Sequence, residues 1–268
     1  MRRDLSSAPR SIKDGAIFLA DAHFNPLGRR EALTFLRALS EGEITSDQLF
    51  LLGDISDLLI GKFKFCRDEN RELISLINLV AKNGTTVYYF EGNHDFFLDE
   101  VFDQDVIVIP KKDQPAEFFL NDRKVLLLHG DFRVEFRYAV YAKAIRNPVG
   151  LFLFHLLSLN FVNFWLLKYM QKRLMAKRLA YNIENFQKKR ARALCDLGEK
   201  SDMIVEGHFH QGCDFDCGGA RYINIAAFAL EQSFVRIEFD RISEGIVNGW
   251  RIKNIKDIKS RLQRNGVS

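Results

Sequence analysis

The chain has 268 residues, 39 of them basic and 35 acidic, for a formal net charge of +4. That length allows one large domain with a sizeable core or two small ones, and four cysteines are too few for a disulfide scaffold. Cys213 and Cys217 have no second pair beside them to build a structural zinc site, and the opening MRRDLSSAPRSIKDG lacks the apolar core of a secretory signal, so a reducing cytoplasm is expected.

Taken in chain order, short apolar runs each close on a polar cluster. AIFLA runs into Asp21-Ala22-His23, QLFLL into Gly53-Asp54-Ile55-Ser56-Asp57, and TVYYF through Glu91 into Gly92-Asn93-His94-Asp95. KVLLL runs into His129-Gly130-Asp131, and MIV leads through Glu206 into Gly207-His208-Phe209-His210. Such runs, rich in β-branched and aromatic residues and bounded by Gly or Asp, predict buried strands. Helical spacing over 29–40, 68–82 and 182–197 lies between them, and further strands are expected at 105–109, 116–120, 221–226 and 234–239. The pattern is α/β, and ligands of open α/β sheets bind beyond the carboxyl ends of strands, where all five clusters fall.

Five of the six histidines lie in these clusters, with Asp and Asn and without a thiolate, a donor mixture that suits Mn²⁺, Fe²⁺ or Zn²⁺. Asp21 and His23 are two residues apart, as are His208 and His210, so an extended backbone is expected to point each pair to one side.

Residues 151–170, LFLFHLLSLNFVNFWLLKYM, are long enough to cross a bilayer. A single crossing would put His129 on one side of the membrane and His208 and His210 on the other, so the stretch is not expected to span. His155, Ser158, Asn160 and Asn163 would also be costly in lipid. The alternative is a helical insertion that Asn147 and Pro148 begin. From Lys168 to Arg192 nine Lys or Arg accompany one acid, Glu184, and the tail from Trp250 is basic too. Its Ile252, Ile255, Ile258 and Leu262 suggest a tail helix. The cationic clusters suit an anionic membrane face. A nucleic-acid partner is not expected, since fifteen apolar residues are no groove for one.

Asp21-x-His23, Gly53-Asp54-x-x-Asp57, Gly92-Asn93-His94-Asp95, His129 and Gly207-His208-x-His210, in this order, resemble the calcineurin-like metallophosphoesterase superfamily. The resemblance implies a four-layer αββα sandwich with two divalent metal ions at the strand ends. Asp54 would bridge them; Asp21, His23 and His210 would complete one ion's ligands, and Asn93, His129 and His208 the other's. His94 would act as acid or phosphoryl stabiliser, with Asp57 orienting its ring, while Asp95 is read as structural.

More narrowly, the motifs, the run HGDFRVEFRYAVYAKAIRNP and the apolar-then-basic insertion look like the UDP-2,3-diacylglucosamine hydrolase family of lipid A biosynthesis. That implies one metallophosphoesterase domain over 1–268, a helical lid at 133–198 that holds acyl chains, and Mn²⁺ as the metal. It also implies cleavage of an anionic lipid-linked UDP-sugar to UMP and 2,3-diacylglucosamine 1-phosphate at the inner face of the cell membrane. Tyr138 falls where that family has a lid-base tyrosine, and substrate contact would fall to Asn93, His94 and Tyr138. The narrower family usually has Arg where this chain has His94. The alternative expectation is a generic dinuclear phosphodiesterase or phosphatase acting on a soluble nucleotide or phosphoester.

Overall fold

A computed structural model describes residues 10–133, 162–242 and 245–254, with side-chain surroundings for 10–133 and 165–237. In chain order the elements are β1 (Ile17–Leu19), α1 (Glu31–Ser40), β2 (Gln48–Leu51), β3 (Leu59–Ile60), α2 (Lys64–Glu69), α3 (Arg71–Lys82), β4 (Thr86–Phe90), β5 (Asp95–Phe96), β6 (Val106–Ile109), β7 (Ala116–Leu120) and β8 (Arg123–Leu128). There follow α4 (Val162–Ala176), α5 (Phe186–Gly198), β9 (Met203–Glu206), β10 (Cys213–Cys217), β11 (Ala220–Asn224), α6 (Phe228–Glu231), β12 (Ser233–Ile242) and β13 (Gly245–Asn254).

The strands form two main sheets, ordered β13-β12-β1-β2-β4-β6 and β10-β11-β9-β8-β7. Within them β1, β2, β4 and β6 are mutually parallel, as are β8, β9 and β11, while β12, β13, β10 and β7 pair antiparallel with their neighbours. Alternation along each strand makes the layers. Phe18, Phe50, Tyr88 and Phe90 of the first sheet meet Phe118, Val125, Leu127 and Val205 of the second, while Ile17, Leu19, Leu49, Leu51 and Val87 face α1 and α3. Phe50 stacks on Phe18 at 4.4 Å and on Tyr88 at 4.9 Å, and Phe118 meets Phe50 edge-on at 5.3 Å. Such pairs add about 0.5–1.5 kcal/mol each beyond burial. The outer face of the second sheet, through Leu126, Leu128, Ile204 and Tyr222, carries Phe186 and Leu194 of α5. This is the expected four-layer α/β sandwich, with strands apolar on both faces because both are covered.

Two strands of the main sheets depart from the sequence reading. The tail from Trp250 to Asn254 belongs to β13, which pairs with β12 in register Ile252↔Val235, so this part is not the expected helix. Ladder hydrogen bonds to β12 decide the matter, and the alternation of Trp250 and Ile252 suits them. Ile255, Ile258 and Leu262 lie outside the described residues. The Asp-rich edge strand β10 joins β11 through Gly218 and Gly219, both at positive φ, as a tight hairpin requires.

Of the apolar stretch, the described part is in α4. Leu167 is buried in the core, Gln171 is buried beside it, and Trp165 and Tyr169 are 64% and 56% exposed. Among the described residues no helix is long and apolar enough to cross a membrane. Tyr138, Asn147, Pro148 and His155, with the rest of 134–161 of the expected lid, lie outside the described residues.

Candidate metal centre

The five clusters meet at the carboxyl ends of β1, β2, β4, β8 and β9. Asp21, His23, Asp54 and His129 are buried, and His208 and His210 nearly so. The convergence of Asp21 with His23 does not come from extended backbone, and His208 and His210 enter different donor groups. All four residues, with Asp54, have φ between 46° and 67°, five of the ten non-glycine residues at positive φ among those described. Left-handed backbone at such residues costs of order 1–3 kcal/mol each and persists only where the surroundings enforce it, typically at functional sites.

Two donor groups result. Asp21 Oδ1 lies 3.4 Å from His210 Nε2, which is 3.4 Å from His23 Nε2. His129 Nε2 lies 3.5 Å from Asp54 Oδ2, 3.2 Å from His208 Nδ1 and 3.1 Å from Asn93 Oδ1. Each triad, Asp21–His23–His210 and Asp54–His129–His208, is close enough to hold one ion. His23, Asp57 and His94 also converge, but the Asp57 carboxylate is already taken by His23 Nδ1 at 3.0 Å, Asn25 Nδ2 at 2.9 Å and Arg29. We therefore set that group aside as a metal position.

The residues fit a cation. His129 Nδ1 bonds the Leu52 carbonyl at 2.8 Å, His210 Nδ1 the Leu179 carbonyl at 3.0 Å, and His23 Nδ1 bonds Asp57. Each contact assigns the proton to Nδ1 and turns a bare Nε2 inward, which is how protein environments orient metal-binding imidazoles. Bare nitrogens 3.4 Å apart repel unless a cation lies between them, and the buried Asp21 Oδ1 accepts no hydrogen bond. Burial lowers the pKa of His23 and holds His208 well below the usual imidazole range, keeping both in the neutral form that ligates. Burial pushes the other way at Asp54, but His129 and His94 outweigh it and hold the carboxylate ionised.

His94 donates its backbone N–H to Asp54 Oδ1 at 2.9 Å, and its Nε2 lies 4.0 Å from Asp54 Oδ2. Asp57 does contact the His94 ring, through its main-chain carbonyl to Nδ1 at 2.9 Å; its carboxylate orients His23 instead. Asp95 is structural. It accepts the N–H groups of Asp54, Ile55 and Gly92 at 2.7–3.0 Å and the Tyr89 hydroxyl at 2.6 Å, tying the second cluster to the third. Gly92 allows the approach, since a Cβ there would collide with Asp54.

A cavity opens from the centre. His23, Asp54, Asn93, His94, His208 and His210 form its floor; Leu179, Ile183, Phe186 and Phe209 form an apolar wall, and Lys177, Arg178 and Lys189 are exposed cations along it. Tyr181 caps one side, its ring 5.5 Å from His210 and its hydroxyl 3.2 Å from the His208 carbonyl. Sequence reasoning missed Tyr181, Asn25 and Arg29, which no motif marks. It also counted Arg190 among solvent-facing cations, whereas Arg190 is buried and paired with Glu206.

The sheet order and the two donor triads agree with the architecture and donor set that the resemblance to calcineurin-like metallophosphoesterases implies. A scan against protein-family models finds no match. In sequence the chain is similar to UDP-2,3-diacylglucosamine hydrolases: 28% identical over 213 residues to that of Photorhabdus laumondii, covering 73% of this chain and 81% of that protein. It is 30% identical over 146 residues to that of Azotobacter vinelandii, covering 54% and 60%. A dimetal phosphatase from Danio rerio aligns over 89% of this chain and 96% of its own at 14% identity, with a TM-score of 0.45.

Proposed function

We propose that the chain hydrolyses the pyrophosphate of UDP-2,3-diacylglucosamine to UMP and 2,3-diacylglucosamine 1-phosphate, using two divalent ions, with Mn²⁺ the expected metal. The observation that carries this reading is the cavity: an imidazole–carboxylate floor beside a wall both apolar and cationic, in a chain similar to curated hydrolases of that name. An anionic lipid offers complementary chemistry to each part.

Asp21, His23 and His210 would hold one ion, Asn93, His129 and His208 the other, with Asp54 shared. Ions so held supply hydroxide at neutral pH and offset charge on the phosphate oxygens. His94, its ring fixed by the Asp57 carbonyl, would donate a proton to the leaving oxygen or a hydrogen bond to the phosphoryl group. Lys177, Arg178 and Lys189 would meet phosphate charge, while Leu179, Ile183 and Phe209 would meet acyl chains. We assign 1–268 to one domain with a helical lid at 133–198, in which Tyr138 contacts substrate.

Exposed Trp165 and Tyr169 beside Lys172 and Arg173 support peripheral attachment to the inner membrane face. Sedimentation with anionic liposomes that falls with salt checks this; equal binding to neutral liposomes would contradict it.

His94 favours a second reading, hydrolysis of a soluble phosphodiester, because the narrower family usually has Arg at this position. Acyl-chain dependence separates the two. If the chains are buried at roughly 0.8 kcal/mol per CH₂, shortening them by four carbons costs about 3 kcal/mol, or a hundredfold or more in kcat/KM. No dependence on chain length would favour the second reading.

A further inference from the structure

Helix α5 buries one stripe, Phe186, Arg190, Leu194 and Gly198, at four-residue spacing. Three of these suit a helix lying on a sheet; a guanidinium only 3% exposed does not. Burying an ion pair carries a desolvation penalty of several kcal/mol per ion, recovered only when geometry and hydrogen bonding are nearly complete. Arg190 meets that condition. Its Nε and one terminal nitrogen donate to the two oxygens of Glu206 at 2.6 Å each. The terminal nitrogens also donate to the Phe132 carbonyl at 2.8 Å and the Gly130 carbonyl at 3.2 Å. Glu206 accepts the Tyr222 hydroxyl as well, and the guanidinium carbon lies 4.8 Å from the centre of the Phe209 ring.

These partners flank two candidate ligands. Gly130 and Phe132 follow His129, and Glu206 and Phe209 lie either side of Gly207-His208. The loops are also joined by the Gly207 N–H donating to the His129 carbonyl at 2.8 Å. One guanidinium therefore spans both loops whose imidazole nitrogens meet 3.2 Å apart.

We infer that Arg190 is a positioning residue: through Glu206, Gly130 and Phe132 it fixes the separation of His129 and His208, and so sets the affinity of the metal position they share with Asp54. This rests on the metal reading above. The competing role is mere filling of the interface between α5 and its sheet. The two separate when the pair is replaced by apolar residues of similar volume, which can fill the interface but cannot recreate the bonds to Gly130 and Phe132.

The test is calorimetric Mn²⁺ titration of the metal-free chain, with thermal unfolding of each variant. Wild type binding two ions and His129→Ala binding one would establish the metal reading independently. Arg190→Met/Glu206→Met should then unfold cooperatively, at a melting temperature lowered by the stranded Tyr222 hydroxyl and Gly130 carbonyl, yet bind one ion about 10–100-fold more weakly and the other unchanged, the range typical of lost outer-sphere support. Arg190→Lys, which keeps the charge without the planar fork, should bind that ion with intermediate affinity. Wild-type affinity for both ions in the folded double variant would overturn the inference, as would wild-type affinity in Arg190→Lys should the double variant not fold. A wild-type chain that binds no second ion would remove the metal reading itself and the inference with it.

Discussion

His129 and His208 come from adjacent parallel strands, 79 residues apart in sequence, and their Nε2 and Nδ1 atoms face each other at 3.2 Å. The Nε2 of His129 also lies 3.5 Å from Asp54. On the proposed reading Asp54 is the only carboxylate common to both ions. Asp54→Ala should then abolish activity and weaken both ions, measured as metal content after dialysis. Two fully retained ions would contradict the assignment.

In the metal-free chain burial works against a charged His129 and a charged His210, but Asp54 and Asp21 respectively outweigh it and raise both above the usual imidazole pKa. Protons therefore compete with an ion for these two rings more strongly than at an ordinary imidazole. Metal affinity should fall as pH falls, by up to about one decade per pH unit for each displaced proton. Titrations in buffers of different ionisation enthalpy should show proton release on Mn²⁺ binding, and a buffer-independent heat would contradict this.

His94 lines the cavity with its ring anchored on the Asp57 carbonyl. His94→Ala should lower kcat by roughly 10²–10⁴ with metal content intact. His94→Arg should be the mildest substitution. A loss below about tenfold in His94→Ala would assign proton donation to another group.

Asp95 is the buried acceptor for three backbone N–H groups within 3.0 Å and for the Tyr89 hydroxyl. Removing it strands those donors at about 1–3 kcal/mol each. Asp95→Ala should therefore destabilise the fold by at least about 3 kcal/mol in denaturant unfolding. A loss under about 1 kcal/mol would mean that water replaces the carboxylate.

The ligand clusters were legible because buried parallel strands read as apolar runs, and Gly, Asp or His marks their ends. The backbone at those ends was not legible. Asp21 and His23 converge through left-handed conformations, which residue spacing cannot reveal. The edge strands β10 and β13 were missed for a related reason: with one face or one edge unpaired, their sequences lose the apolar run. The Gly218-Gly219 hairpin was the available signal for β10. For Arg190 the signal was its place between Phe186 and Leu194 at four-residue spacing, which puts it on the buried face of α5 rather than among solvated cations.

The central claim is cleavage of a lipid-linked pyrophosphate, and identification of the products tests it most directly. Phosphorus NMR of metal-loaded protein with UDP-2,3-diacylglucosamine should show the pyrophosphate signals replaced by equal amounts of UMP and a lipid 1-phosphate, with no change in chelator-treated samples. An intact pyrophosphate under conditions where the same preparation hydrolyses a soluble phosphodiester would contradict it.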